Sequence, residues 1–396
     1  MKAKNALSDL AVFGGPKIFP EILPVGQMNV PSWQRFQERT QGIFDRRYYT
    51  NHGVLAQELE EKLADLFQVR NAVTMTNATI GLSLAAVALG LKGKVIVPSF
   101  TFAASAQALS WAGLTPVFCD INPRTHTVDA AAIAPLFEKH DISGVLGVHL
   151  WGNACAVHEV ESIALRHGAK VFYDAAHAVG CTHGGKPIGN FGSCEVFSFH
   201  ATKVLNATEG GCVTTNDDGL AEILRNLRSS YGRHKDVPIP INANGRFSEF
   251  QAAFCLLSLE DFAGNCAANH RKLEAYREGL AGLPGLRLIP PTPGEKHNYQ
   301  YVVFELSKED FGLSRDELVR ILDAENIKAR RYFVPGLHKS FPYCTRPQPT
   351  LPNTEALCEK VFQLPSGAAT SLAAIEKVCD LIRFIHKNSS EIRSRM

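Results

Sequence analysis

The feature that most restricts this chain is an alternation of short apolar runs with helix-like stretches through residues 71–215. "NAVTM" (71–75), "KVIVPSF" (94–100), "TPVFCDI" (115–121), "GVLGVHLWG" (144–152) and "KVFYDAA" (170–176) are apolar without a regular period of two. A strand with one solvated face alternates, so unbroken runs predict strands covered on both faces. The intervening "ATIGLSLAAVALGL", "TFAASAQALSWAG" and "HEVESIALRHG" read as helices, and "CEVFSFH" and "GCVTTN" as further strands. Strands joined through helices run parallel, which predicts a doubly wound α/β sandwich. Ligands of such sheets sit outside the carboxyl ends of the strands.

Beyond about residue 265 the pattern changes. A long helix through "NHRKLEAYREGLAGL" runs into the Pro- and Gly-rich "PGLRLIPPTPGEK", followed by "YQYVVFEL", "SRDELVRILDAE", "IKARRYF" and a closing helix near 369–388. At 396 residues the chain exceeds the usual size of a single core. Two domains are expected: 1–265, a large α/β domain with an N-terminal arm of about 1–30, and 266–396, a smaller α+β domain.

Composition narrows the function. A net charge of +2 with no basic run excludes an evident nucleic-acid or polybasic membrane surface. The ten cysteines include no CxxC pair and no zinc-type spacing, so buried reduced thiols are expected and no metal site. No stretch reads as a membrane span or signal peptide, and a cytoplasmic location is expected.

Several chemistry-bearing residues fall at predicted strand ends. Lys203, in "SFHATKVLNATEGG", follows a strand in a loop of small hydroxyl residues, where a solvated surface lysine is unusual. Asp174 ends "KVFYD", and a carboxylate after such a run needs a partner if buried. Asn77-Ala78-Thr79 stands at a helix start, where exposed amides favour an anion. Each also has an ordinary reading: Asp174 as a turn or capping residue, His177 as a structural histidine, Phe102 as core, Thr79 as an N-cap. Together they meet the needs of pyridoxal phosphate (PLP). That cofactor requires an amine for its aldehyde, an anion site for its phosphate, a carboxylate for its ring nitrogen and apolar surfaces for its ring faces.

The motifs "YYTNHGVLAQELEEKLADLF", "VIVPSFTFAASAQALSWAGLTPVFCDI", "VFYDAAHAVGC", "FSFHATKVLNATEGG", "NGRFSEFQAA" and "ENIKARRYFVPGLHKSFPY" closely resemble the DegT/DnrJ/EryC1/StrS sugar aminotransferases over nearly the whole length. The resemblance implies the fold-type I PLP-dependent transferase architecture: a three-layer α/β/α domain with a mostly parallel sheet, plus a smaller C-terminal α+β domain. It implies PLP as cofactor and Lys203 as the residue that bonds its aldehyde and then moves protons. Asp174 would pair with the ring nitrogen, His177 lie near the ring hydroxyl, and Phe102 and Ala176 cover the ring faces. Ala78, Thr79 and Ser198 would hold the phosphate, joined by Asn244 from a neighbouring subunit. Many relatives have Ser-Gly-Thr in place of Asn77-Ala78-Thr79.

The resemblance further implies a homodimer with a shared site, glutamate as amino donor and a nucleotide-linked keto sugar as acceptor. The phrasing is most similar to enzymes acting on dTDP-linked 4-keto-6-deoxyhexoses; a 3-keto sugar, an inosose or an eight-carbon keto sugar stays open. Arg246, Arg330, Arg331, Tyr332 and His338 are candidates for the acceptor, and each also reads as a surface or interlobe residue. The helix "FQAAFCLLSLEDF" (250–262) fits either a dimer contact or ordinary core. PLP-dependent sugar dehydratases of this fold carry histidine at the lysine position, so Lys203 argues against that activity. A PLP-binding regulator would need a DNA-binding module, which is not evident. Gly184-Gly185-Lys186 lacks the rest of a phosphate-loop pattern and reads as a turn.

Overall fold

The computed structural model describes residues 4–229 and 237–396. Strands β1 (Asn71–Met75), β2 (Lys94–Pro98), β3 (Thr115–Cys119), β4 (Ile142–Val148) and β5 (Lys170–Asp174) follow one another with helices between them. A small hairpin, β6 (Thr182–His183) and β7 (Lys186–Pro187), precedes β8 (Glu195–Ser198) and β9 (Gly211–Thr215). The large sheet has the order β1-β9-β8-β5-β4-β2-β3. It is parallel from β8 through β3, while β9 pairs antiparallel with both β8 and β1. The antiparallel step has a local cause, because only a loop joins β8 to β9 and no helical crossover can return the chain in parallel.

Every residue of β1, β8 and β9 is buried, including the polar Thr74, Glu195, Thr214 and Thr215, which find hydrogen-bond partners inside the fold. One face packs on a core containing Phe67 and Phe197, whose rings stack 4.2 Å apart. The other packs on Leu82, Val95, Leu146 and Phe172. Gly81 lets the helix Ala78–Ala88 approach the sheet closely, since a Cβ there would meet Val196 at 2.9 Å.

The smaller antiparallel sheet has the order β10 (Leu286–Leu288), β11 (Val302–Leu306), β13 (Val361–Leu364) and β12 (Arg330–Arg331). Its core joins Phe304, Phe362 and Ile382 with Leu7, Leu10, Ile18 and Leu23 of the N-terminal segment. That segment, expected as an arm of the large domain, therefore packs with the small one. Its apolar residues join that core beside the helix Arg315–Ala324, and Leu23 pairs with Ile327 just past it. The expected boundary at 265 falls inside the helix Phe262–Gly279, whose Phe262 packs on the large core and whose Leu273 and Tyr276 belong to the small one.

The ten cysteines are unpaired, and Cys344 is the exposed one. Gly184 and Gly185 form the hairpin turn at positive φ, with their amides donating to Glu295. Among the described residues, no helix is long and apolar enough to cross a membrane, and no cluster of His, Cys, Asp or Glu could hold a metal ion.

Candidate active site

A cavity of about 550 Å³ opens at the carboxyl ends of the parallel strands, and Lys203, Asp174, His177 and Ser198 line it. Strand register places these groups. Val148 of β4 and Val196 of β8 flank Asp174 at the end of β5, and Ser198 ends β8 opposite Gly211. Past Ser198 the chain turns, and Lys203 donates its main-chain N–H to His200 O at 2.8 Å. Lys203 is thereby folded back over the strand ends, with only 9% of its surface exposed.

Asp174 accepts from Ser105 Oγ at 2.8 Å and from the Ala176 N–H at 3.1 Å. Burial raises its pKa all the same, against the pull of those two bonds and of Lys203. Lys203 is pushed the other way, to about 8, chiefly by burial and further by Arg330, with Asp174 opposing. An amine so depressed is about one-tenth neutral at pH 7, where a solvated lysine at about 10.4 supplies almost none. His177 is driven well below its usual range by burial and by Lys203, so it is neutral. It takes the Trp151 N–H on Nδ1 at 3.4 Å, which puts its ring proton on Nε2. The Lys203 Nζ donates to the hydroxyl of Tyr301 at 2.9 Å.

Ala78 and Thr79 open the helix Ala78–Ala88 at the cavity wall. Asn77 caps that helix by accepting from Ile80 N at 2.9 Å, and no acidic side chain stands in its first turn. The positive end of the helix therefore faces the cavity uncompensated. Gly211 makes room for it, since a Cβ there would lie 2.9 Å from Ala78 N and 2.5 Å from Phe197 O. Phe102 and Ala176 both line the cavity, and Phe102 is 60% exposed at its mouth. These residues fit PLP: an uncompensated helix start for a phosphate, a buried carboxylate, an exposed aromatic face and a buried amine share one cavity of sufficient size.

The expected acceptor residues divide. Arg330 and Tyr332 line the cavity from the small domain, with the Arg330 guanidinium 5.7 Å from the centre of the Tyr332 ring. Arg331 points to an adjoining depression and pairs with Asp316 at 3.4 Å, because successive residues of an extended strand face opposite ways. His338 does not line the cavity. Its Nδ1 bonds Ser99 Oγ at 2.7 Å and its Nε2 lies 3.3 Å from Glu355, so the ring is buried away from the cavity. Asn244 and Arg246 do not reach the cavity of their own chain either. Arg246 bonds Asn244 Oδ1 at 3.1 Å and Asn51 Oδ1 at 2.8 Å, and it lines a separate depression with His52 and Arg228.

Sequence reasoning missed Ser105, Gln300 and Tyr301. Ser105 could have been found as a polar residue on the buried side of an apolar helix. The run "YQYVVFEL" carries no sign of a site in its periodicity, although Gln300 is a polar residue leading into a buried segment.

A buried lysine with a depressed pKa, a buried aspartate and a helix start at the carboxyl end of a mostly parallel sheet define the site of a fold-type I PLP-dependent enzyme. The family follows from residues 33–383, which match the model of the DegT/DnrJ/EryC1/StrS aminotransferase family; the chain belongs to this family, and it is a PLP-dependent sugar aminotransferase. It is 34% identical to a dTDP-4-amino-4,6-dideoxy-D-glucose transaminase of Shigella dysenteriae, over 91% of this chain and 98% of that protein. It is 35% identical to a GDP-perosamine synthase of Caulobacter vibrioides, over 84% and 91% of the two chains. The solved structure of DesI in the presence of its TDP-sugar product superposes with a TM-score of 0.94 at 43% identity, covering 98% of this chain and 99% of that one.

Proposed function

We propose that this enzyme transfers the amino group of glutamate to the keto carbon of a dTDP-linked 4-keto-6-deoxyhexose. The observation that carries the chemistry is the meeting of Lys203 Nζ, Asp174 and the start of the helix Ala78–Ala88 in one cavity. The choice of acceptor rests on the similarity to the transaminase and to DesI named above. Overall, the amino group and two electrons leave glutamate, which becomes 2-oxoglutarate, and reach the sugar, whose carbonyl becomes an amine-bearing carbon.

Bound PLP supplies an aldehyde that accepts the amino group and a ring that takes up electrons from the carbon losing its proton. Lys203 Nζ, which burial makes easier to deprotonate, takes the proton from the α-carbon of the donor in its neutral form. In the second half reaction the same Nζ delivers a proton to the former carbonyl carbon of the sugar. Asp174, held by Ser105, would set a negative charge beside the ring nitrogen. Ala78, Thr79 and Ser198 would hold the cofactor's phosphate, and Phe102 and Ala176 would cover its ring. His177 would offer its Nε2 proton to the ring hydroxyl. Arg330 and Tyr332 meet the acceptor from the small-domain side.

Asn244 completes the phosphate site from the second subunit of a homodimer, and Arg246 comes with it. The distance of both residues from their own cavity supports this reading.

The test is an absorbance spectrum of the PLP-loaded protein before and after L-glutamate, followed by dTDP-, UDP- and GDP-linked keto sugars. A visible band that collapses with glutamate and returns with the dTDP-linked sugar is expected. A band indifferent to glutamate refutes the donor. A return with the GDP-linked sugar alone refutes the acceptor.

A further inference from the structure

Two consecutive residues of the small domain grip Lys203 from opposite ends. Tyr301 Oη accepts a hydrogen bond from Nζ at 2.9 Å, while Gln300 Oε1 accepts from the following main-chain amide, Val204 N–H, at 3.0 Å. Gln300 is itself fixed, donating to His177 O at 2.9 Å and accepting from Gln27 Nε2 on its main-chain oxygen at 2.9 Å. The Tyr301 ring packs against His177 at 4.2 Å and Trp151 at 5.5 Å, so its hydroxyl has a defined place. Burial holds the phenol well above its usual pKa, and it stays neutral. The other charged or titratable groups around this amine are Asp174 and His177 on the large domain and Arg330 and Tyr332 on the small one.

An amine that exchanges protons with substrate carbon must be free of any covalent bond in each half reaction. A free amine on a four-carbon stem has many rotamers unless something receives it. We propose that Tyr301 is a positioning residue: its hydroxyl receives the Lys203 amine whenever that amine is free and holds Nζ where proton exchange with the substrate carbon occurs. When Nζ takes a proton, the resulting ammonium still donates one N–H to Tyr301 Oη. When it delivers the proton, the neutral amine keeps the same bond, so Tyr301 undergoes no net change. The inference rests on the aminotransferase reading above.

Tyr301→Phe tests it by removing one oxygen and keeping the ring that packs on His177. The expected result is a fall in kcat of about tenfold, the equivalent of one hydrogen bond, with KM for glutamate within about twofold of wild type. The kinetic isotope effect with α-deuterated glutamate rises, because proton transfer becomes slower than its neighbouring steps. A second readout needs no cofactor: the pH dependence of acylation of Lys203 by acetic anhydride in the apoprotein, followed by peptide mass spectrometry. Loss of an acceptor for the ammonium moves this profile toward acid, by roughly one pH unit. The amine becomes more often neutral while turnover falls, a combination that general destabilisation does not produce.

A kcat within twofold of wild type overturns the proposal. So does a fall in kcat with an unmoved acylation profile, which would place the hydroxyl on the substrate. If the wild-type protein transfers no amino group, the aminotransferase reading fails instead, and the acylation profile still decides whether Tyr301 holds Lys203.

Discussion

Asp174, on the large-domain wall of the cavity, accepts from Ser105 at 2.8 Å and from Ala176 at 3.1 Å, whereas Arg330, on the small-domain wall, leans on the Tyr332 ring at 5.7 Å from a two-residue edge strand. The first wall is built at the ends of central strands, where buried polar groups must be satisfied and so hold fixed positions. The second is aromatic and partly exposed: Val334 is 49% exposed and Phe341 is 80% exposed beside Arg330 in the adjoining depression. The contrast teaches a division of labour. Asp174 and Lys203 stand where the sheet fixes them, with Tyr301 reaching the amine from the small domain, whereas Arg330 sits on an edge strand that can vary without disturbing the sheet.

The comparison breaks first at Lys203. Lys203→Ala is expected to lose amino transfer on the order of a thousandfold or more with either partner, together with the visible band of the loaded enzyme. Single-turnover spectra with glutamate, and separately with the keto sugar, check this. An effect on one half reaction alone would dissolve the distinction between the walls.

Next in size is a pH effect on the apoprotein. Burial depresses Lys203 to about 8 in the fold, against about 10.4 in the unfolded chain. For a depressed base the stabilising contribution is present above the unfolded value and is lost as pH falls through the folded one. Apo Lys203→Met should therefore exceed apo wild type in stability by about 3 kcal/mol at pH 7, with the difference closing toward pH 10. Urea midpoints at the two pH values read it directly, and a gap independent of pH would contradict the buried-amine account.

Asp174→Asn sharpens the same wall. It keeps the Ser105 contact in reach and removes the negative charge, so both half reactions should slow on the order of a hundredfold with an unchanged fold. Smallest is the effect on the opposite wall. Arg330→Ala should raise KM for the nucleotide-linked acceptor about tenfold, while glutamate still bleaches the visible band at nearly the wild-type rate. Equal damage to the glutamate reaction would show that Arg330 serves both partners.

Much of the large domain was legible in the chain because buried strands need unbroken apolar runs, as in "NAVTM" and "GVLGV". Lys203 and Asp174 were legible for a related reason: polar residues stand out at the ends of such runs. The antiparallel β9 was less so, because strand direction depends on the connection and not on composition. His338, a candidate for the acceptor, stands apart from Arg330 and Tyr332, which line the cavity. Only the path of the chain through the turn at 336–340 buries it on Ser99.

The sequence by itself determined the sheet and the placing of Lys203 and Asp174 at its strand ends, since periodicity and polarity are local properties. Tertiary structure alone decided the partners. It brought Tyr301, 98 residues away in sequence, to the Lys203 amine. It also carried the Glu249 carboxylate to the start of the helix Val54–Phe67, where it accepts from Leu55 N at 3.2 Å and Ala56 N at 3.0 Å and caps a helix that has no side-chain cap of its own. Such pairings form because a buried donor or acceptor must find whatever complement the packing brings near, and no local stretch of sequence specifies which residue that will be.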